Sequence, residues 1–197
     1  GNDFRRRFCW RLILLFIIGN INAVFFTAEI LVMYSLIGFV LVLTCRLSTR
    51  TLLVLSALCM LQPVAIYHTI RAIADSAYIT PSLPTGDLWN AAFAVQSAGT
   101  FWDTLKVNIW EGQLASLAWA WDNARVFQTA ALFMLGMLMG RQGWLLESRL
   151  KNWAQVLGWA LAAYFPLTGL TTLLPGFIDN ENIVRPLLLI LTSLSKF

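Results

Sequence analysis

Apolar residues along this chain fall in long blocks with short polar punctuation, at 10–28, 29–45, 51–74, 124–140 and 154–175, with a shorter block at 183–195. At about 1.5 Å of rise per helical residue, such blocks cover most or all of a hydrocarbon core roughly 30 Å thick. The pattern predicts an all-α, polytopic transmembrane bundle of five or six spans. The intervening stretch, 76–123, is too polar to span and opens with the turn formers Pro81, Pro84 and Gly86 before becoming rich in tryptophan. Within it Trp110, Leu114, Leu117 and Trp121 share one face at helical spacing, and Trp89, Trp102 and Trp119 add rings that prefer the headgroup level. An amphipathic helix over about 101–121, lying on the outer membrane surface, is expected; the same rings would also serve as an aromatic belt that only anchors the bundle. No linker interrupts the chain, so residues 1–197 read as a single transmembrane domain.

Composition agrees: 58% of residues are hydrophobic and 12% charged, with a mean hydropathy of +0.69, which excludes a soluble globular protein. The net charge of +4 does not point to nucleic acid, because the basic residues sit at block ends and form no groove-lining run. Cys9, Cys45 and Cys59 show neither paired nor ligand spacing, so no disulfide framework and no metal site is expected, and they read as small packed residues. The first block is too long, and lacks a small-residue cleavage site, for a signal peptide. With its Gly1-Asn2-Asp3 start and an abrupt end at Ser195-Lys196-Phe197, the chain is expected to be a piece of a longer protein.

Charge placement orients the bundle. Arg5, Arg6, Arg7, Arg11, Arg46, Arg50, Arg141, Arg149, Lys151 and Lys196 fall on one side, ten of the 14 basic residues. The other side collects Glu29, Asp75, Asp87, Asp103, Glu111, Asp122, Asp179 and Glu181. Because short cytoplasmic loops are enriched in Lys and Arg, the amino end is predicted to be cytoplasmic, and six spans would return the carboxyl end to that side.

Ionisable groups inside apolar blocks are costly and therefore candidate sites. Asn22 falls in the outer half of the first block and Glu29 at the outer start of the second, where a carboxylate could cap a helix or act as a base. In the third block Pro63, following Gln62, should kink the helix, while His68, Arg71 and Asp75 form one stripe toward the outer end. His68 is the only histidine, and its pKa range suits proton transfer as well as an interfacial hydrogen bond. Arg125 and Gln128 share a face at the fourth block's outer entrance, and Arg185 opens the last block at the same level. Together they predict a polar, partly basic outer pocket with Glu29 and His68 as catalytic candidates and Asn22, Arg71, Arg125, Gln128 and Arg185 as substrate-binding ones; snorkelling explains each arginine singly. Gly136 and Gly140 form a GxxxG, read first as internal packing and second as a dimer interface that would make a homo-oligomer. A Gly-rich phosphate loop and a nucleophile elbow are both lacking, and no bound cofactor is expected.

The run Arg11-Leu12 through Ile17-Ile18-Gly19-Asn20-Ile21-Asn22-Ala23, followed by Glu29-Ile30-Leu31, Tyr34-Ser35-Leu36-Ile37-Gly38 and Cys45-Arg46-Leu47-Ser48-Thr49-Arg50, resembles the YeiB-like family of bacterial inner-membrane proteins. Arg125-Val126-Phe127-Gln128 through Leu132 to Arg141 looks like the same family's later block. The resemblance implies the middle portion of a multi-pass inner-membrane protein of unknown function, similar in layout to the transmembrane acyltransferases. Such enzymes move an acyl group from a cytoplasmic acyl-CoA to an extracytoplasmic glycan or polymer, so acyl-CoA is the implied donor substrate and a surface glycan the implied partner beside the lipid bilayer. Many relatives carry His where this chain has Asn22 and Asp where it has Glu29; asparagine is no general base, so if that histidine does chemistry this chain either uses His68 instead or does no acyl transfer. The alternative is a transporter, or a lipid- or anionic-solute-binding membrane module without catalysis, using the same pocket.

Overall fold

The computed structural model describes residues 2–75, 77–143, 150–178 and 180–195. Arg149, Asp179, Lys196 and Phe197, which entered the orientation argument or the reading of the chain's end, lie outside them, as does Gly1. The described residues contain helices and no strand: α1 (Asn2–Phe25), α2 (Leu31–Thr44), α3 (Thr49–Met60), α4 (Pro63–Ala74), α5 (Thr85–Ala98), α6 (Phe101–Val107), α7 (Gln113–Asp122), α8 (Arg125–Arg141), α9 (Leu150–Phe177) and α10 (Glu181–Ser195). A single π-helical turn, Asn108–Gly112, joins α6 to α7 without a break.

Arg5–Phe25 and Gln155–Phe177 are long and apolar enough to cross a membrane, and α3 with α4 forms a third such stretch if the bent pair serves as one span. The helices of the other three apolar blocks have 14, 17 and 15 residues. At 1.5 Å per residue that is about 21, 26 and 23 Å, short of a hydrocarbon core of roughly 30 Å.

The chain divides into two compact units, Gly1–Arg46 with Ser82–Thr129, and Leu47–Pro81 with Ala130–Phe197. In the first, α1 and α2 pack side by side with close backbone approach at two glycines. A Cβ on Gly19 would lie 3.0 Å from the Val32 amide nitrogen, and one on Gly38 would lie 2.4 Å from Leu12 Cδ2. This pairing of 19 with 32 and 12 with 38 makes the helices antiparallel, as the short Phe26–Ile30 connection requires. Residues 77–123 are more helical than their turn formers suggested. Pro84 precedes α5 as its N-cap, where no N–H is needed, and Ala91, Ala92 and Ala94 favour the helix that follows. The expected helix over 101–121 is present as α6, the π turn and α7. It starts at a capping box in which Thr100 Oγ1 and the Asp103 backbone N–H pair, and the Thr100 N–H donates to Asp103. The Thr100 hydroxyl also donates to Asp103 at 2.6 Å, and these bonds hold that carboxyl below the usual aspartate range.

In the second unit α10 packs against α4 and α9. The α3–α4 break bends the chain by 49° at Gln62, whose φ of 55° places it in the left-handed region. Pro63 causes it: with no N–H to give, it cannot continue the ladder to Cys59, whose carbonyl instead accepts from the Gln62 N–H at 3.1 Å. The Met60 carbonyl is met from α10 by Ser193 Oγ at 3.2 Å, and Gln62 Nε2 donates to the same hydroxyl at 2.9 Å. A second proline leaves a similar gap. Pro186, inside α10, cannot donate to the Asn182 carbonyl, which accepts the Thr80 hydroxyl at 3.2 Å while Asn182 Oδ1 accepts the Thr80 N–H at 3.1 Å.

Candidate functional site

The sequence-derived site residues separate by unit: Asn22, Glu29, Arg125 and Gln128 belong to the first, and His68, Arg71 and Arg185 to the second. In the first unit, Glu29 sits in the α1–α2 connection with only 5% of its surface exposed. One carboxylate oxygen accepts the Leu31 N–H, the first amide of α2, and the other accepts the Asn22 side-chain amide. The positive end of the α2 dipole and an amide donor thus occupy the charge. This is the capping geometry, and it leaves little of the carboxylate for a substrate proton. Glu29→Leu is expected to lower stability by about 1–2 kcal/mol, because the Leu31 N–H and the Asn22 amide both lose their acceptor. Glu29→Gln, which retains one acceptor oxygen, should lose less; chemical denaturation of the two variants in detergent checks the order.

Arg125 donates to Gln128 Oε1 at 2.9 Å, and its guanidinium carbon lies 6.0 Å from the centre of the Trp119 ring. Gln128 is buried one helical turn beyond Arg125, while Trp119 meets the guanidinium from α7.

A group that the sequence did not single out lies beside Glu29 in chain order. Thr27 and Asn108 are both buried, and Thr27 Oγ1 donates to Asn108 Oδ1 at 2.8 Å. Asn108 Nδ2 donates to the Val24 carbonyl at 3.1 Å, and Gln96 Nε2 donates to Asn108 Oδ1 at 3.0 Å and to Thr27 Oγ1. Ser116 Oγ donates to the Thr27 carbonyl at 2.8 Å. Val24 is in the last turn of α1, where carbonyls have no helical donor, so the amide of Asn108 fills a vacancy inherent in the helix end. The π turn sets Asn108 and Gly112 against this connection, and Gly112 must lack a side chain, since a Cβ there would lie 2.9 Å from Thr27 Cγ2. The legible signal was the face of small and amide residues, Asn108, Gly112, Ala115 and Ala118, that is buried while Trp102, Trp110, Trp119 and Trp121 are exposed.

In the second unit three groups converge at the end of α4. His68 Nδ1 and the Tyr78 hydroxyl share a hydrogen bond of 2.6 Å, and their rings stack with centroids 6.1 Å apart. The exposed Arg71 guanidinium lies 5.4 Å from the centre of the same Tyr78 ring. Asp75 is turned to its own loop, accepting the Ala77 N–H at 2.9 Å. Tyr78 therefore holds both the imidazole and the guanidinium, and it was absent from the sequence-derived set because it lies beyond the end of the apolar block. Arg185 is exposed on α10 and joins none of these contacts. The described residues hold no cluster of three or more metal-ligating side chains. No protein-family model, characterised protein or solved structure matches the chain.

Proposed function

We propose that the chain is a multi-pass integral membrane protein that receives an anionic group at its His68–Arg71–Tyr78 cluster. The membrane reading draws on the apolar stretches and on exposure: nothing in Gln155–Phe177 is buried, and Trp159, Phe165 and Phe177 stand among its exposed side chains. Water does not tolerate such a surface, whereas lipid is its natural solvent. Five or six spans, a cytoplasmic amino end and a bacterial inner-membrane location complete the reading, the last through the YeiB-like resemblance.

The observation that carries the binding role is the exposed Arg71 held over Tyr78, beside a histidine fixed by the same ring, with no ion pair to any described residue. A fixed, unneutralised guanidinium is a ready partner for carboxylate or phosphate. Binding of CoA, acetyl-CoA or inorganic phosphate should raise the melting temperature in detergent, because such ligands stabilise only the folded state. Arg71→Ala should remove the shift; a shift unchanged in that variant, or absent with all of these anions, overturns the role.

Acyl transfer is the second reading, favoured by His68 Nε2, which has no hydrogen-bond partner among the described residues. In the tautomer whose Nδ1–H is directed at Tyr78, Nε2 presents its lone pair. An acceptor hydroxyl would form the new C–O bond at the acyl carbon as the C–S bond breaks, its proton passing through Nε2 to the leaving thiolate. Release of free thiol from acetyl-CoA that stops in His68→Asn separates this reading from binding alone.

A further inference from the structure

Residues 3, 6, 7, 10 and 13 recur along α1 at the spacing of one helix face. Asp3, Arg6, Arg7, Trp10 and Ile13, with Cys9 beside them, line an open concavity of about 730 Å³. Arg6, Arg7 and Trp10 are exposed, and Arg5 and Arg11 add two further cations within the same turns. Basic charge, an amphipathic ring and an aliphatic side chain thus follow one another along a single face that leads into the apolar run Leu12–Gly19.

We propose that this face binds the headgroup of an anionic phospholipid in the leaflet where α1 enters the membrane; the proposal rests on the membrane reading above. The order of side chains matches the order of layers a lipid presents. Guanidinium groups take a phosphate through paired N–H donors, and tryptophan prefers the level of the headgroup and the ester carbonyls. An aliphatic residue then meets the first acyl methylenes. From Arg6 to Ile13 the helix rises about 10.5 Å, comparable with the roughly 5–8 Å of interfacial layer on each side of a bilayer. Asp3 offsets one of the two arginines that line the face.

The test uses the whole chain reconstituted in vesicles of phosphatidylcholine with or without an equal part of phosphatidylglycerol. Flotation after a carbonate wash reports insertion, and mass spectrometry of lipids retained on extraction reports preference. Phosphatidylglycerol should be retained over phosphatidylcholine, saturating at one molecule per chain. The double variant Arg6→Gln with Arg7→Gln should lower the preference roughly 30-fold, at about fivefold per arginine near a charged surface, and Arg50→Gln should leave it unchanged. A loss of about fivefold in Arg50→Gln, the same per arginine as in the double variant, would show bulk surface charge and overturn the site, as would no loss in the double variant. Displacement of the lipid by millimolar inorganic phosphate would show a free-anion site and overturn the lipid as its occupant. Should the double variant fail to insert, the unaltered chain still decides, since absence of a saturating preference overturns the site. Flotation without preference overturns this inference alone, whereas failure to float overturns the membrane reading and this inference with it.

Discussion

Replacing Asn108 by leucine is expected to destabilise the first unit by about 3 kcal/mol, among the larger effects of a single substitution. The two side chains branch alike but leucine is the bulkier, so overpacking adds to the loss of polar partners. Leucine leaves the Val24 carbonyl without its donor and the Thr27 hydroxyl without its acceptor, and it removes the Asn108 oxygen that Gln96 reaches. Thr27 and Asn108 are themselves buried, with Gly112 packed against Thr27, while Gln96 reaches them from the exposed side. A double-mutant cycle with Thr27→Val in detergent denaturation should show a coupling of about 1 kcal/mol or more, because the two side chains form one network. Additive effects of the two substitutions would mean that the hydrogen bond between them carries no weight in the folded state.

Ser193→Ala is expected to cost about 2 kcal/mol in the second unit, nearly as much for the loss of a single oxygen. Serine 193 is 3% exposed, gives its proton to the Met60 carbonyl and accepts from Gln62. Removing the hydroxyl takes an acceptor from the Gln62 amide and a donor from the Met60 carbonyl, at the position already strained by a left-handed backbone. Substituting Pro63 by alanine in the Ser193→Ala background should recover part of the loss, since it restores an N–H and lets α3 and α4 approach one continuous helix. Thermal unfolding of the single and double variants provides the comparison, and no recovery would show that the bend is set by packing and not by the proline.

The apolar blocks mark the helices well because helix formation within a block is local and because the blocks are nearly free of charge. Each of the six contains a helix or, at 51–74, the two halves of one broken by Pro63. Span count is less legible, since α2, α8 and α10, at 14, 17 and 15 residues, are shorter than a hydrocarbon core of roughly 30 Å requires. Helix α5 was hidden behind Pro81, Pro84 and Gly86, the last of which falls within its first turn.

The candidate site was legible residue by residue but not in its pairings. Glu29 at a helix start and His68 with Arg71 on one stripe follow from helical spacing alone, a property of the chain at short range. What only the tertiary structure decided is which groups answer them: Asn108, 81 residues beyond Thr27, Ser193, 131 beyond Gln62, and Tyr78, which folds back over both His68 and Arg71. Periodicity tells a residue which way to face, whereas a buried hydrogen bond needs a partner brought to within about 3 Å by packing of segments remote in sequence.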